Sequence, residues 1–223
     1  MRVVLIRHAH SQANAAGVLS GRRPGIHLSE KGIEQAQGLA QRLGQFPVTQ
    51  IRVSPMERCL ETINPWINSL DASNKNQAIT DHDLTEVDYG SWSGKKLSTL
   101  SRNKMWTTVQ ESPSRMYFPG GEGLAAMQIR AMRSIHASID GKKSGVSIFV
   151  SHGDVIKAMV ASALGMHLDD FQRIIIDPAS VTILEFLQLK PRTLLVNDTR
   201  AVVTDLLVSP VRKKNLLGGG GGK

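Results

Sequence analysis

Two periodicities of apolar residues alternate along this chain. Val3-Val4-Leu5-Ile6 is a short β-branched run without polar alternation, which reads as a strand covered on both faces and so as part of a parallel sheet. Ile51-Arg52-Val53-Ser54 and Val146 to Val150 read as further strands, and Val181 to Phe186 and Thr193 to Val196 as closing strands. Between them lie stripes of helical spacing. Ile33, Ala36, Ala40 and Leu43 predict a helix from an N-cap at Ser29 to a stop at Gly44. Pro55-Met56-Glu57 opens a second helix with Met56, Cys59, Leu60, Ile63, Ile67 and Leu70 on its stripe, which Pro65 is expected to kink or end early. Leu124, Gln128, Ala131, Ile135 and Ile139 mark a third, and Val155 to Leu164 a fourth. Residues 71–83 read as a polar loop, 97–109 carry a weaker helical pattern, and 112–123, with two prolines and three glycines, form a loop. Strands alternating with helices imply a three-layer α/β/α sandwich with a mostly parallel sheet. Ligands of such sheets bind beyond the carboxyl ends of the strands.

Composition narrows this picture. The 223 residues suit one domain, 1–208, followed by a basic, glycine-rich segment, 209–223, expected to be disordered. The formal net charge is +8, half of it carried by Arg212, Lys213, Lys214 and Lys223. The modest excess left in the body suits an anionic substrate, and without a basic stripe interleaved with aromatics no nucleic-acid partner is expected. Cys59 is the single cysteine, so no intrachain disulfide forms. Four apolar residues after Met1-Arg2 are too few for a signal-peptide core, and no run approaches a membrane span. A soluble, cytoplasmic protein is expected, and a homodimer is compatible with the sequence.

Three strand ends carry one kind of chemistry. The first ends in Arg7-His8, the second leads through Ser54 to Arg58 in the first helical turn, and the third ends in Ser151-His152. Neighbouring strands would bring two guanidinium groups and two imidazoles to one rim, where helix N-termini add N–H donors. Guanidinium forks bind phosphate oxygens, neutral imidazole attacks phosphorus, and fixed cations stabilise the charge of the transition state. No metal or cofactor is needed for this. Competing motifs are weaker. His8-Ala9-His10 is a His-x-His pair at a strand end, as in metal hydrolases, but those also need further histidines and a bridging acid after other strands, usually on a larger barrel, and His10 is expected to be solvated or near the substrate. Asp81-His82-Asp83-Leu84-Thr85 has an Asp-x-Asp-x-Thr pattern without the apolar strand that should precede it. Cys59 has no arginine six residues on, and Asp140 to Ser144 is too short for a phosphate-binding P-loop.

Five ordered segments resemble the histidine phosphatase superfamily, which includes the cofactor-dependent phosphoglycerate mutases. They are Leu5-Ile6-Arg7-His8 with Ser11 and Asn14; Ser54 to Thr62 around Arg58; Leu84 to Gly94 around Glu86; Pro119-Gly120-Gly121-Glu122; and Val150-Ser151-His152-Gly153. The resemblance implies a phosphoglycerate mutase-like fold and the following roles. His8 attacks phosphorus, and Arg7, Arg58 and His152 clamp the phosphoryl oxygens. Asn14 and Ser11 contribute to binding, and Glu86 acts as acid and then base, with Asp154 as the runner-up acid. Arg22 and Arg23 could meet a second anionic group, and residues 100–123, with Arg102, Lys104, Arg115, Tyr117 and Phe118, are the expected substrate cover. The chain departs from the family pattern at Ala9 and Gly123, where glycine and serine are usual. The resemblance implies a phosphomonoesterase acting on a small phosphorylated metabolite. A phosphomutase is the alternative, and a phospholigand-binding homologue without activity is a second. Val87, where the mutases carry arginine after the acid, and the short span from Gly90 to Pro119 favour hydrolysis.

Overall fold

A six-stranded sheet in the order β3-β2-β4-β1-β5-β6 organises the computed structural model, which describes residues 1–71, 74, 78–142, 144–187 and 190–208. The strands are β1 Arg2–Arg7, β2 Gln50–Val53, β3 Ala78–Thr80, β4 Val146–Ser151, β5 Val181–Glu185 and β6 Arg192–Asp198. The first four are mutually parallel where they pair; β5 and β6 run antiparallel. Successive residues of β1 serve opposite layers, which is why its apolar run is unbroken. Val3 and Leu5 pack with Phe149 against helices α6 (Leu124–Ile139) and α7 (Gly153–Leu164). Val4 and Ile6 pack with Ile51, Val53, Ile148 and Val150 against α2 (Glu30–Leu43) and α3 (Glu57–Ser69). The remaining helices are short: α1 Gln12–Ala15, α4 Leu97–Leu100, α5 Trp106–Glu111 and α8 Thr204–Val208. This is the expected α/β/α sandwich. The expected disordered segment 209–223 lies outside the described residues.

Local signals set most boundaries. The Ser29 hydroxyl accepts from the Gly32 N–H at the start of α2, and Gly44 ends that helix at φ 64°. Pro65, expected to kink or end α3 early, does not end it: the helix continues to Ser69. The lost backbone bond is outweighed by the next residue. Trp66 is fully buried, donates its indole N–H to the Gly44 carbonyl at 2.7 Å and stacks on Phe46. The polar stretch 71–83 contains the edge strand β3, whose side chains are exposed, so it has no apolar signature. The weak helical pattern of 97–109 resolves into two pieces, α4 and the start of α5.

Register places the chemistry. Arg7 pairs with Ser151, the His8 N–H donates to the Ser151 carbonyl at 2.9 Å, and the Ser54 N–H donates to the Val150 carbonyl at 3.0 Å. The chain therefore leaves β1, β4 and β2 side by side, at His8, His152 and Ser54, on the carboxyl edge of the sheet.

Candidate active site

His8 is buried at the base of a cleft of about 410 Å³. Its Nδ1 lies 2.7 Å from the Ala9 carbonyl, which can only accept, so Nδ1 carries the proton and Nε2 keeps its lone pair. His152 has the opposite tautomer. Arg58 Nη2 donates to its Nδ1 at 3.1 Å, so Nε2 carries the proton and donates to Ser54 Oγ at 2.8 Å. The rings meet edge-on with centroids 5.2 Å apart. Burial, and then the positive charge of Arg58, hold both imidazoles well below the usual histidine range, so both are neutral at pH 7.

The guanidinium groups are held only partly by protein. Arg7 Nη1 donates to the Ile176 carbonyl at 2.5 Å and Arg58 Nη2 to the Gly21 carbonyl at 2.9 Å. Arg7 Nε, Arg58 Nε and Arg58 Nη1 are buried with no hydrogen-bond partner among the described residues. Unpaired buried donors on cations are costly, and an anion in the cleft would satisfy them. His152 is the N-cap of α7, with no side chain capping that helix, so its first-turn N–H groups face the same edge of the sheet.

Glu86 sits on the opposite wall, 8% exposed. Its Oε1 accepts from the Val87 N–H at 3.0 Å, and Oε2 is 3.6 Å from His152 Nδ1. That approach is not an ion pair, because the imidazole is neutral. Burial, then the neighbouring charge of Asp154, push the Glu86 carboxyl up to about 7 against the pull of Arg58. It is therefore partly protonated near neutrality and able to give or take a proton. Asp154 lines the cleft too, and its Oδ2 accepts from the Tyr89 hydroxyl at 2.8 Å. Asn14 Oδ1 accepts from the Ser11 N–H and hydroxyl, which turns the amide nitrogen of Asn14 away from Ser11, and Asn14 lines the cleft. Ser11 itself is the buried N-cap of α1.

Arg22 and Arg23 do not line the cleft. Arg22 Nε donates to the Glu86 carbonyl at 2.8 Å and Nη2 to Glu122 Oε1 at 2.8 Å; Arg23 lies across Gly94. Arg130, which the sequence did not single out, also reaches the Glu86 carbonyl, at 3.2 Å, and grips Glu122 with two nitrogens. Arg22, Glu122 and Arg130 thus form a brace behind Glu86. The expected cover is not formed by 100–123: Arg102, Lys104, Arg115 and Tyr117 are exposed away from the cleft, and Phe118 is core. The outer cleft is instead lined by Val18, Leu19, Leu97, Lys157, Gln172 and Ile174–Ile176. The three consecutive isoleucines, outside any helix or strand pattern, were the signal for this.

The rival motifs resolve as structural. Asp81 accepts from Arg52 at 2.7 Å and Ser134 at 2.6 Å. Burial pushes the Cys59 thiol up to about 12, so it is no nucleophile. His10 bonds Ser29 and stands apart from His8. His8, Glu86 and His152 do lie close enough to share a cation, with ligand atoms within 4.8 Å of one another. The surroundings disfavour one: His152 Nδ1 already accepts from Arg58, and two guanidinium charges face the same point. The extra methyl of Ala9, in place of the family glycine, causes no strain. Ala9 is not among the residues with positive φ, and it is fully buried with Leu28, Ala36 and Ala179.

A neutral imidazole with a free lone pair, unpaired guanidinium donors around it and a protonatable carboxyl opposite define an enzyme that transfers phosphoryl groups through histidine. The chain belongs to the histidine phosphatase superfamily (branch 1), whose family model matches residues 3–199. It is 29% identical over 191 residues to phosphoserine phosphatase 1 of Hydrogenobacter thermophilus, covering 82% of this chain and 86% of that protein. It is 27% identical over 182 residues to the 2,3-bisphosphoglycerate-dependent phosphoglycerate mutase of Thermoplasma acidophilum, covering 82% and 86%. The crystal structure of a putative alpha-ribazole-5'-P phosphatase from Escherichia coli superposes with a TM-score of 0.78 over 90% of this chain and 98% of its own, at 24% identity, a likeness of fold. Among the described residues no helix is long and apolar enough to cross a membrane.

Proposed function

We propose that this protein hydrolyses small phosphomonoesters through a phosphohistidine on His8, without a metal. The observation that carries the reading is the set of three guanidinium nitrogens, on Arg7 and Arg58, without a partner among the described residues, on two cations whose charge acts on a histidine with its Nδ1–H committed to the Ala9 carbonyl. A phosphoryl group would accept from those donors, from Asn14 and from the start of α7, with Nε2 of His8 in line behind phosphorus. In the first step Nε2 forms the N–P bond, the ester P–O bond breaks, and protonated Glu86 gives its proton to the departing oxygen. In the second, a water attacks phosphorus, Glu86 takes its proton, the N–P bond breaks and phosphate leaves. Arg7 and Arg58 hold the equatorial oxygens in both steps, and His152, whose Nδ1 accepts from Arg58 and whose Nε2–H is committed to Ser54, positions the Arg58 guanidinium. The buried free thiol of Cys59 accords with a cytoplasmic setting.

Hydrolysis is favoured over phosphoryl return. A mutase must grip the rest of a sugar acid while excluding water, and neither Arg22 nor Arg23 faces the cleft to hold a carboxylate. The test supplies 3-phosphoglycerate with a trace of its bisphosphate and follows 2-phosphoglycerate and free phosphate together. Release of phosphate should exceed isomerisation; isomerisation far faster than release would make the protein a mutase with the same residues in their roles.

A further inference from the structure

The outer half of the cleft has a chemistry of its own. Its walls begin where the phosphoryl cradle ends. On one side the Ile176 carbonyl holds Arg7, so the strip Ile174-Ile175-Ile176 starts at the cradle and runs along the cleft. Ile174 and Ile176 are buried, whereas Ile175 is 67% exposed. On the other side the Leu19 N–H donates to the Lys95 carbonyl and the Leu97 N–H to the Gly17 carbonyl, each at 2.9 Å, which sets Val18, Leu19 and Leu97 together. Leu97 is 41% exposed. Large aliphatic side chains left open beside a polar catalytic base mark a surface to be covered by ligand.

Charge decides what kind of ligand. Among the described residues the lining holds, apart from Arg7, one cation, Lys157, against the acids Glu86, Asp154 and Asp177. Lys157 is already engaged: its Nζ donates to Gln172 Oε1 at 3.1 Å, stands 3.7 Å from Asp154 Oδ1 and lies over the Phe171 ring. A second anionic group on the substrate would meet Asp154 and Asp177 and, among the described residues, no free cation.

Resting on the phosphomonoesterase reading, we propose that the preferred substrates are phosphate monoesters of apolar-faced alcohols, aryl or branched alkyl, without a second anionic group. Ile175 and Leu97 are the specificity-determining residues, closing on the alcohol from opposite sides.

Binding separates this claim from catalysis. The His8→Ala variant of the full chain is titrated by calorimetry with 1-naphthyl phosphate, glycerol 3-phosphate and 3-phosphoglycerate, with inorganic phosphate as the reference. The naphthyl ester should bind at least tenfold more tightly than either glycerol-based ligand. Adding Ile175→Asp or Leu97→Asp should weaken the naphthyl ester about tenfold, roughly the worth of one covered aliphatic side chain, and glycerol 3-phosphate by no more than about twofold. Equal affinities, tighter binding of 3-phosphoglycerate, or equal losses for all ligands would overturn the proposal. Turnover of the same esters by the native chain reports separately. Discrimination in binding with no turnover would sink the phosphatase reading while the pocket assignment stands.

Discussion

Glu86→Gln keeps the shape of the proposed acid and its bond from the Val87 N–H but removes the proton, so it separates catalysis from stability. Burial and Asp154 raise the Glu86 carboxyl from 4.5 to about 7. The gap of about 2.5 units corresponds to about 3 kcal/mol. A raised acid binds its proton more tightly in the folded state. Its stabilising contribution is full below pH 4.5 and is lost as pH climbs to 7, because the unfolded chain ionises freely while the folded one resists. The glutamine variant has no such titration. Its stability advantage over the native chain should widen by about 2.5 kcal/mol between pH 5 and pH 8, or roughly 5–10 °C in melting temperature. Activity should fall at least about a hundredfold. Urea denaturation of both proteins at the two pH values is the assay. A variant that is no more stable at pH 8, or an advantage that does not change with pH, would show that Glu86 is not a strained, protonatable acid.

Other outcomes follow from the same geometry. Hydrolysis should survive exhaustive chelation and be inhibited by vanadate, since guanidinium groups supply the charge; loss in chelator with rescue by a divalent cation would return attention to the His8, Glu86 and His152 cluster. The pH profile of kcat/KM should fall as pH rises through about 7, as Glu86 loses its proton, and a profile flat to pH 9 would contradict its role. Ala9→Gly should cost about 1–2 kcal/mol of stability, by removing a buried methyl group and freeing the unfolded chain, without raising activity; a clear gain in kcat would mean the methyl crowds phosphate after all. Arg22→Ala should lower kcat about tenfold with little change in KM, as expected of a residue that positions Glu86, and a rise in KM alone would restore it to substrate binding.

How far the sequence reaches depends on what each position senses. β1 and β4 are legible because both faces are buried, so Val3 to Ile6 and every residue of β4 are apolar or small. Edge strand β3 is not, because its three side chains are exposed and nothing selects an alternating pattern. Arg7, His8, Arg58 and His152 can be placed together because they follow strand ends, and parallel register does the rest. Arg22 misleads for a physical reason. A loop arginine near an anion site reads as a ligand contact, whereas a backbone carbonyl and Glu122 take its donors. Arg130 is illegible at sequence level, since it sits on α6 among ordinary surface charges and reaches Glu86 only through tertiary packing. The outer cleft fails differently. Its isoleucines lie more than 160 residues from His8 in the chain and come beside it through tertiary contacts such as the Arg7 bond to the Ile176 carbonyl.

The central claim is that His8 carries the phosphoryl group. Brief reaction with a ³²P-labelled phosphomonoester, followed by denaturation and peptide mapping, tests it most directly. One labelled site is expected, at His8, stable in alkali and lost in acid, and absent from His8→Ala together with turnover. Undiminished turnover in His8→Ala, or an acid-stable label on another residue, would contradict it.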